Sequence, residues 1–348
     1  MRCTWKVFYL SLLAAWFGLL AAELWLQLAR RLAWPEVERF LQEELEPLDS
    51  SAITDREEIW AERYVRYRPG AELELPKPAG AQHLRINAQG FRGREVAREK
   101  PPGSLRVACI GGSTTTQGPE DDATYPARLE AKLRERFPGR ALEVLNLGVS
   151  ATWSNYWLQG DREDQLFALA PDVVVQYDGI NDLAFVHLHQ YAEAHPWRRW
   201  LGRSLLVDRW LPPAPRDFDT LFEGTLRNQV RLARQLSQRG VGYVGGTFAT
   251  PDPARLSPVH ARALDHDVQR LWGRALGLDA YAPFHALVLH YDALVEARMQ
   301  ERGIAVVPVH RELTDPALFS DVCHLTPRGI EALAGAFLPA VAAQLEAR

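Results

Sequence analysis

The chain has no run of basic residues, no CxxC spacing, no internal repeat and no low-complexity tract, and each absence removes a class of protein. Its 40 Lys and Arg stand against 44 Asp and Glu, a formal net charge of -4. That balance leaves no electrostatic footprint for nucleic acid, which is not expected as a partner. Cys3, Cys109 and Cys323 are odd in number and scattered, so neither a disulfide framework nor a zinc site is indicated. Cys109 and Cys323 read as small buried hydrophobes. His187, His189 and His195 lack an accompanying carboxylate or cysteine pattern, and the pairs His260/His266 and His285/His290 read the same way. No metal and no other cofactor is expected. What remains is ordinary globular text: 348 residues, 47% hydrophobic and 24% charged, enough for one large domain with appendages.

The N-terminus shows where the chain sits. Arg2 and Lys6 precede an uncharged, mostly apolar run from Val7 to Ala22, and a second apolar patch, Leu24 to Ala29, follows Glu23. With its flanks this run is long enough to span a bilayer core. A cleavable signal would need small residues at both positions of its cleavage site, and cleavage after Ala22 would put Leu20 at one of them. An uncleaved anchor over residues 1–30 is favoured, with the rest of the chain outside the cytoplasm by the positive-inside rule.

Residues 31–103 read as a juxtamembrane region. An acidic helical stretch from Pro35 to Leu48 gives way to text punctuated at Pro69-Gly70, Pro76-Lys77-Pro78 and Pro101-Pro102-Gly103. From residue 104 the pattern changes to β-branched runs alternating with helical ones, the text of a doubly wound α/β domain with a parallel sheet. Three expected strands end in Gly-bearing turns: Leu105–Ile110 into Gly111-Gly112-Ser113, Leu142–Leu145 into Asn146-Leu147-Gly148, and Asp172–Tyr177 into Gly179-Ile180-Asn181. Ligands in such sheets bind beyond the carboxyl ends of the strands, so these turns should line one crevice.

The residue types suit nucleophilic chemistry. Ser113, on a turn tightened by two glycines, presents a hydroxyl. Backbone N–H groups of Ser113 and Gly148 and the Asn181 amide could serve as an oxyanion hole. A base is found near the C-terminus in Asp321-Val-Cys-His324, on the loop before a helix that Thr326 caps and Pro327 opens. The carboxylate can hold one imidazole nitrogen while the other faces the serine, as in a triad recognised by roles and not by chain order.

The ordered blocks GGST at Ser113, NLG at Gly148, GIND at Asn181 and DVCHLT at Asp321/His324 resemble those of the SGNH (GDSL-like) hydrolases, over about Leu105 to Leu345. Asn87–Gly93 also resembles a segment that precedes the serine block in membrane-anchored bacterial members. The resemblance implies a flavodoxin-like three-layer α/β/α sandwich, Ser113 as nucleophile, Ser113, Gly148 and Asn181 as oxyanion hole, Asp321 and His324 as acid/base pair, and no metal requirement. One departure is Gly112, where the family's GDS motif has aspartate.

Two stretches exceed a minimal sandwich. Residues 184–222, with Trp197, Trp200 and Trp210, form a lid or a structural flap; residues 251–291 form a helical insertion whose Trp272, Tyr281 and Phe284 read as core. The expected function is hydrolysis of O-acyl glycans or of lipid and other carboxylic esters through an acyl-Ser113 intermediate. An O-acyltransferase modifying envelope glycan, or a silent glycan-binding assembly protein, stays open.

Overall fold

The computed structural model describes Trp5, residues 8–26, Leu28, residues 54–59, 62–75, 82–97, 99–150, 152–183 and 218–270, Leu278, and residues 280–348. The first helix, α1 (Phe8–Leu26), has 19 residues, a mean hydropathy of 1.6 and no buried share, so it is long and apolar enough to cross a membrane. It continues through Glu23 to Leu26, into the second apolar stretch.

Two antiparallel pairs follow, β1 (Thr54–Ile59) with β2 (Glu62–Tyr67), and β3 (Glu72–Leu75) with β4 (Gln82–Arg85). These strands lie within the expected juxtamembrane region, whose punctuated text does not announce them. Tyr67, Leu84 and Ile86 join the buried core of the following domain, so this part of the region packs onto it.

That domain is built on a five-stranded parallel sheet of order β6-β5-β7-β8-β9, comprising β5 (Leu105–Gly111), β6 (Leu142–Gly148), β7 (Val173–Tyr177), β8 (Gly242–Gly246) and β9 (Ala305–Val307). Every residue of β5 and β7 is buried. Near-continuous apolar text, here interrupted by Arg106 and Gln176, is what a strand covered on both faces requires. Helices supply the cover. α2 (Ser113–Thr116) and α3 (Tyr125–Arg136) follow β5, α4 (Arg162–Ala168) precedes β7, and α5 (Phe218–Gln238) precedes β8. α6 (Pro258–Val268) and α7 (Tyr281–Gln300) lie between β8 and β9, and α8 (Val309–Glu312) and α9 (Pro327–Glu346) follow β9.

The sheet and its helices form the α/β sandwich expected. Thr326 caps α9: its Oγ1 accepts the Gly329 N–H at 3.3 Å, and Pro327 lies in the first turn, where a missing N–H costs no helical bond. Tyr281 and Phe284 are core, as are Cys109 and Cys323. Trp272, residues 184–217, and with them His187, His189 and His195, lie outside the described residues.

Candidate active site

The central strands deliver the site. Ser113 opens α2 two residues after β5 ends, at a position where backbone N–H groups have no intrahelical partner. Gly111, at φ 155°, makes this turn possible. A Cβ there would lie 2.5 Å from the Tyr177 carbonyl oxygen and 2.3 Å from Thr115 Oγ1. The turn thus lies flush against the neighbouring strand.

Asp321 and His324 come from the loop before α9. His324 Nε2 is 2.8 Å from Ser113 Oγ, and His324 Nδ1 is 2.6 Å from Asp321 Oδ2. The other carboxylate oxygen, Oδ1, accepts the backbone N–H groups of Cys323 at 2.8 Å and His324 at 2.7 Å. Burial alone would raise the Asp321 pKa. The charge and hydrogen bonds of His324 outweigh it and bring the carboxyl down to about 2. Burial likewise opposes a charged His324, but Asp321 prevails and holds the imidazole pKa well above its ordinary value. Asp321, Cys323 and His324 also place potential metal-ligating atoms within 4.8 Å of one another. Burial pushes the Cys323 thiol up to about 11, so near neutrality it is a thiol and not a thiolate.

Asn181, just past β7, points its amide at the serine turn. Its Nδ2 donates to the Thr152 carbonyl at 2.7 Å and lies 3.0 Å from where a Gly112 Cβ would stand. Gly148 does not join this group, which corrects the expectation from its motif. It is paired with Gly111 at the end of edge strand β6. The next residue, Val149, sends its N–H inward to the Gly111 carbonyl at 2.9 Å. Alternation along the strand turns the Gly148 N–H outward, where it donates to Asn146 Oδ1 at 3.1 Å. Its lack of a side chain serves packing: a Cβ would lie 2.7 Å from both Thr115 Cβ and the Thr116 nitrogen, so only glycine lets α2 rest on β6.

Several residues that the motifs did not single out hold this arrangement. Gln117 bridges α2 to the histidine loop: its Nε2 donates to the Leu325 carbonyl, and its Oε1 accepts the Leu325 N–H at 2.8 Å. Asp182, beside Asn181, accepts Ser154 Oγ–H at 2.7 Å and the Ser154 N–H at 3.2 Å. Arg92, in the segment before the domain, is buried and donates to the Thr116 carbonyl at 2.7 Å and to Asp121 at 3.1 Å. Tyr67 Oη lies 2.8 Å from Ser150 Oγ and donates to Thr116 Oγ1 at 3.3 Å. Asp267 of α6 is buried close enough to the pair for its pKa to respond to both. Burial and then the Asp321 charge push it up to about 7. A sequence signal existed for Asp182, as the last letter of GIND; Gln117, Tyr67 and Asp267 are joined to the site by tertiary contacts alone.

A parallel α/β sandwich with a serine, a histidine and an aspartate in hydrogen-bonded series at the carboxyl ends of its strands is the framework of a hydrolase. A model of the GDSL-like Lipase/Acylhydrolase family matches residues 109–332, more than half of the chain, and the chain belongs to that family. Among solved structures it is similar to LAE5, an alpha/beta hydrolase from the metagenome of Lake Arreo, Spain, at 23% identity and a TM-score of 0.43, covering 69% of this chain and 96% of that one. A GDSL-like lipase from Bacteroides thetaiotaomicron is 15% identical with a TM-score of 0.41, covering 71% and 91%. An acetylxylan esterase from Geobacillus stearothermophilus is 16% identical with a TM-score of 0.43, covering 68% and 94%. No curated protein matches the chain.

Proposed function

We propose that the protein is a serine esterase or acyl hydrolase that works through an acyl-Ser113 intermediate. The observation that carries this reading is the unbroken series from Ser113 Oγ through His324 to Asp321, with contacts of 2.8 and 2.6 Å. Ser113 attacks the ester carbonyl while His324 Nε2 takes the hydroxyl proton. The same proton then passes to the departing alkoxide, leaving the acyl group on Ser113. Water, deprotonated by His324, attacks the acyl-enzyme, and the serine and carboxylic acid are released. Asp321 stabilises the imidazolium formed in each half. The Ser113 N–H and the Asn181 amide are the donors assigned to the developing oxyanion. Gly148 has no part in it.

Substrates are carboxylic esters, O-acyl glycans or lipid esters, delivered at a membrane surface to which α1 anchors the domain. The apolar α1 and the basic Arg2 and Lys6 ahead of it support an extracytoplasmic domain. A C-terminal reporter active only outside the cytoplasm should therefore be active in intact cells, and a silent reporter refutes this orientation. Substrate class is tested by incubating the full chain in detergent with acetylated oligosaccharides, short-chain aryl esters and long-chain lipid esters and measuring the acid released. Release from at least one class, lost in Ser113→Ala, is expected. No release from any of them contradicts the reading.

A further inference from the structure

β5 and β7 are parallel neighbours whose last paired residues are Gly111 and Tyr177. One step beyond, Gly112 and Asp178 face each other: Asp178 Oδ1 lies 3.9 Å from where a Gly112 Cβ would stand, and the Gly112 N–H is turned towards the carboxylate and favours its charged form. The other side of that carboxylate is also held. Gln176 Nε2 donates to Asp178 Oδ2 at 3.1 Å, and Tyr243 of β8 donates its hydroxyl to Gln176 Oε1 at 2.9 Å. Asp178, Gln176 and Tyr243 are all buried. A polar chain thus runs from the middle of the sheet to a carboxylate lying against the residue immediately before Ser113.

The Cβ side of Gly112 is crowded as well. A side chain at 112 would begin 3.0 Å from Asn181 Nδ2 and 3.4 Å from the Thr152 carbonyl oxygen, with Asp178 Oδ1 at 3.9 Å. The space is already filled by the Asn181 amide. A side chain at residue 112 would therefore press on the Asn181 amide, which would have to give by a few tenths of an ångström.

We propose that Asp178 is a positioning residue that anchors the serine turn from outside, holding the Gly112 N–H so that Ser113 Oγ stays in line with His324 and beside Asn181. This inference rests on the reading of Ser113 as nucleophile. Asp178 touches no reacting atom. It acts by fixing the backbone from which the nucleophile projects, and a displacement of that backbone lowers the rate of attack more than it weakens substrate binding.

An amide can replace the carboxylate in this chain, because the Gln176 amide can turn over and the Tyr243 hydroxyl can accept as well as donate. Asp178→Asn thus keeps an acceptor for Gly112 N–H, whereas Asp178→Ala does not. The test measures kcat and KM on an aryl ester for wild type, Asp178→Ala and Asp178→Asn, corrected for folded fraction from thermal unfolding. Asp178→Ala should lose about 10–100-fold in kcat, the scale of one lost hydrogen bond to a charged group, with KM within about 2-fold. Asp178→Asn should stay within about 3-fold of wild type.

Should Asp178→Ala not fold, Asp178→Cys takes its place, being close in volume to aspartate and a weak acceptor. Unchanged kcat in the folded Ala or Cys variant, or a loss in the Asn variant equal to that in the Ala or Cys variant, overturns the proposal. Fluorophosphonate labelling of Ser113→Ala separates the two levels of inference. Full labelling there refutes Ser113 as nucleophile, whereas no labelling together with an unimpaired Asp178→Ala refutes only the anchor.

Discussion

Replacing Asp321 by asparagine removes one charge and, through the geometry of this loop, also the correct proton position on His324. Asp321 Oδ1 is fixed by the two backbone N–H groups of Cys323 and His324. In the variant only a carbonyl oxygen can accept those bonds, so the amide nitrogen is left facing His324 Nδ1. That nitrogen must then accept, and the imidazole proton moves to Nε2, where the base for Ser113 is needed. The lost charge adds to this. A unit charge about 4 Å from the imidazolium is worth about 4 kcal/mol at an effective dielectric constant of 20, roughly 10³-fold in rate. We expect kcat/KM to fall by about 10³–10⁴-fold.

The pH profile changes as well. In the proposed mechanism the base is neutral His324, whose pKa Asp321 holds well above the ordinary value, so kcat/KM of the wild type should rise with pH through that elevated pKa. In Asp321→Asn the raising charge is gone and burial, which disfavours imidazolium, is left, so the acid limb should move to lower pH. The assay is initial-rate hydrolysis of an aryl ester from about pH 5 to 9.5, a window on both sides of ordinary imidazole titration. A loss below about 10-fold, or an acid limb that does not move, refutes the assignment of Asp321 as the partner of His324.

Asn181→Ala should lower kcat by about 10²–10³-fold with a smaller effect on KM, the loss typical of one oxyanion donor, and a change confined to KM speaks against that role. Burial, together with the charge of Asp178, pushes the Asp182 pKa up to about 7. The folded state therefore binds a proton that the unfolded state has released above about pH 4, and stability from this group falls as pH rises from about 4 through 7. The melting temperature should drop over that window in wild type and drop less in Asp182→Asn, which calorimetry at about pH 5 and 8 compares; an identical drop in both contradicts the assignment.

Much of this architecture was legible because its signals are local. Fully buried central strands such as Val173–Tyr177 need near-continuous apolar text, broken there only by Gln176, and Thr326-Pro327 announces a helix start wherever it falls. The same holds for Ser113, Asn181, Asp321 and His324, each tied to the end of a recognisable element. Gly148 misled because glycine in NLG has two uses that the sequence does not distinguish. Donation of an N–H and close packing ask for the same residue, and only strand parity, fixed by Val149 bonding to Gly111, decides between them. The paired strands within residues 54–85 were missed because their text is charged and interrupted by proline and glycine, with no clear alternation. Gln117, Tyr67 and Asp178 owe their importance to partners from other elements, 208 residues away in the case of Gln117 and Leu325.

The central claim is that Ser113 Oγ forms the covalent intermediate and that His324 activates it. The direct measurement is intact-protein and peptide mass spectrometry after exposure of the detergent-solubilised chain to a fluorophosphonate, with Ser113→Ala and His324→Ala alongside. One adduct per chain is predicted, on the peptide containing Ser113, absent in Ser113→Ala and formed far more slowly in His324→Ala. An adduct on another residue, or undiminished labelling of either variant, contradicts the account.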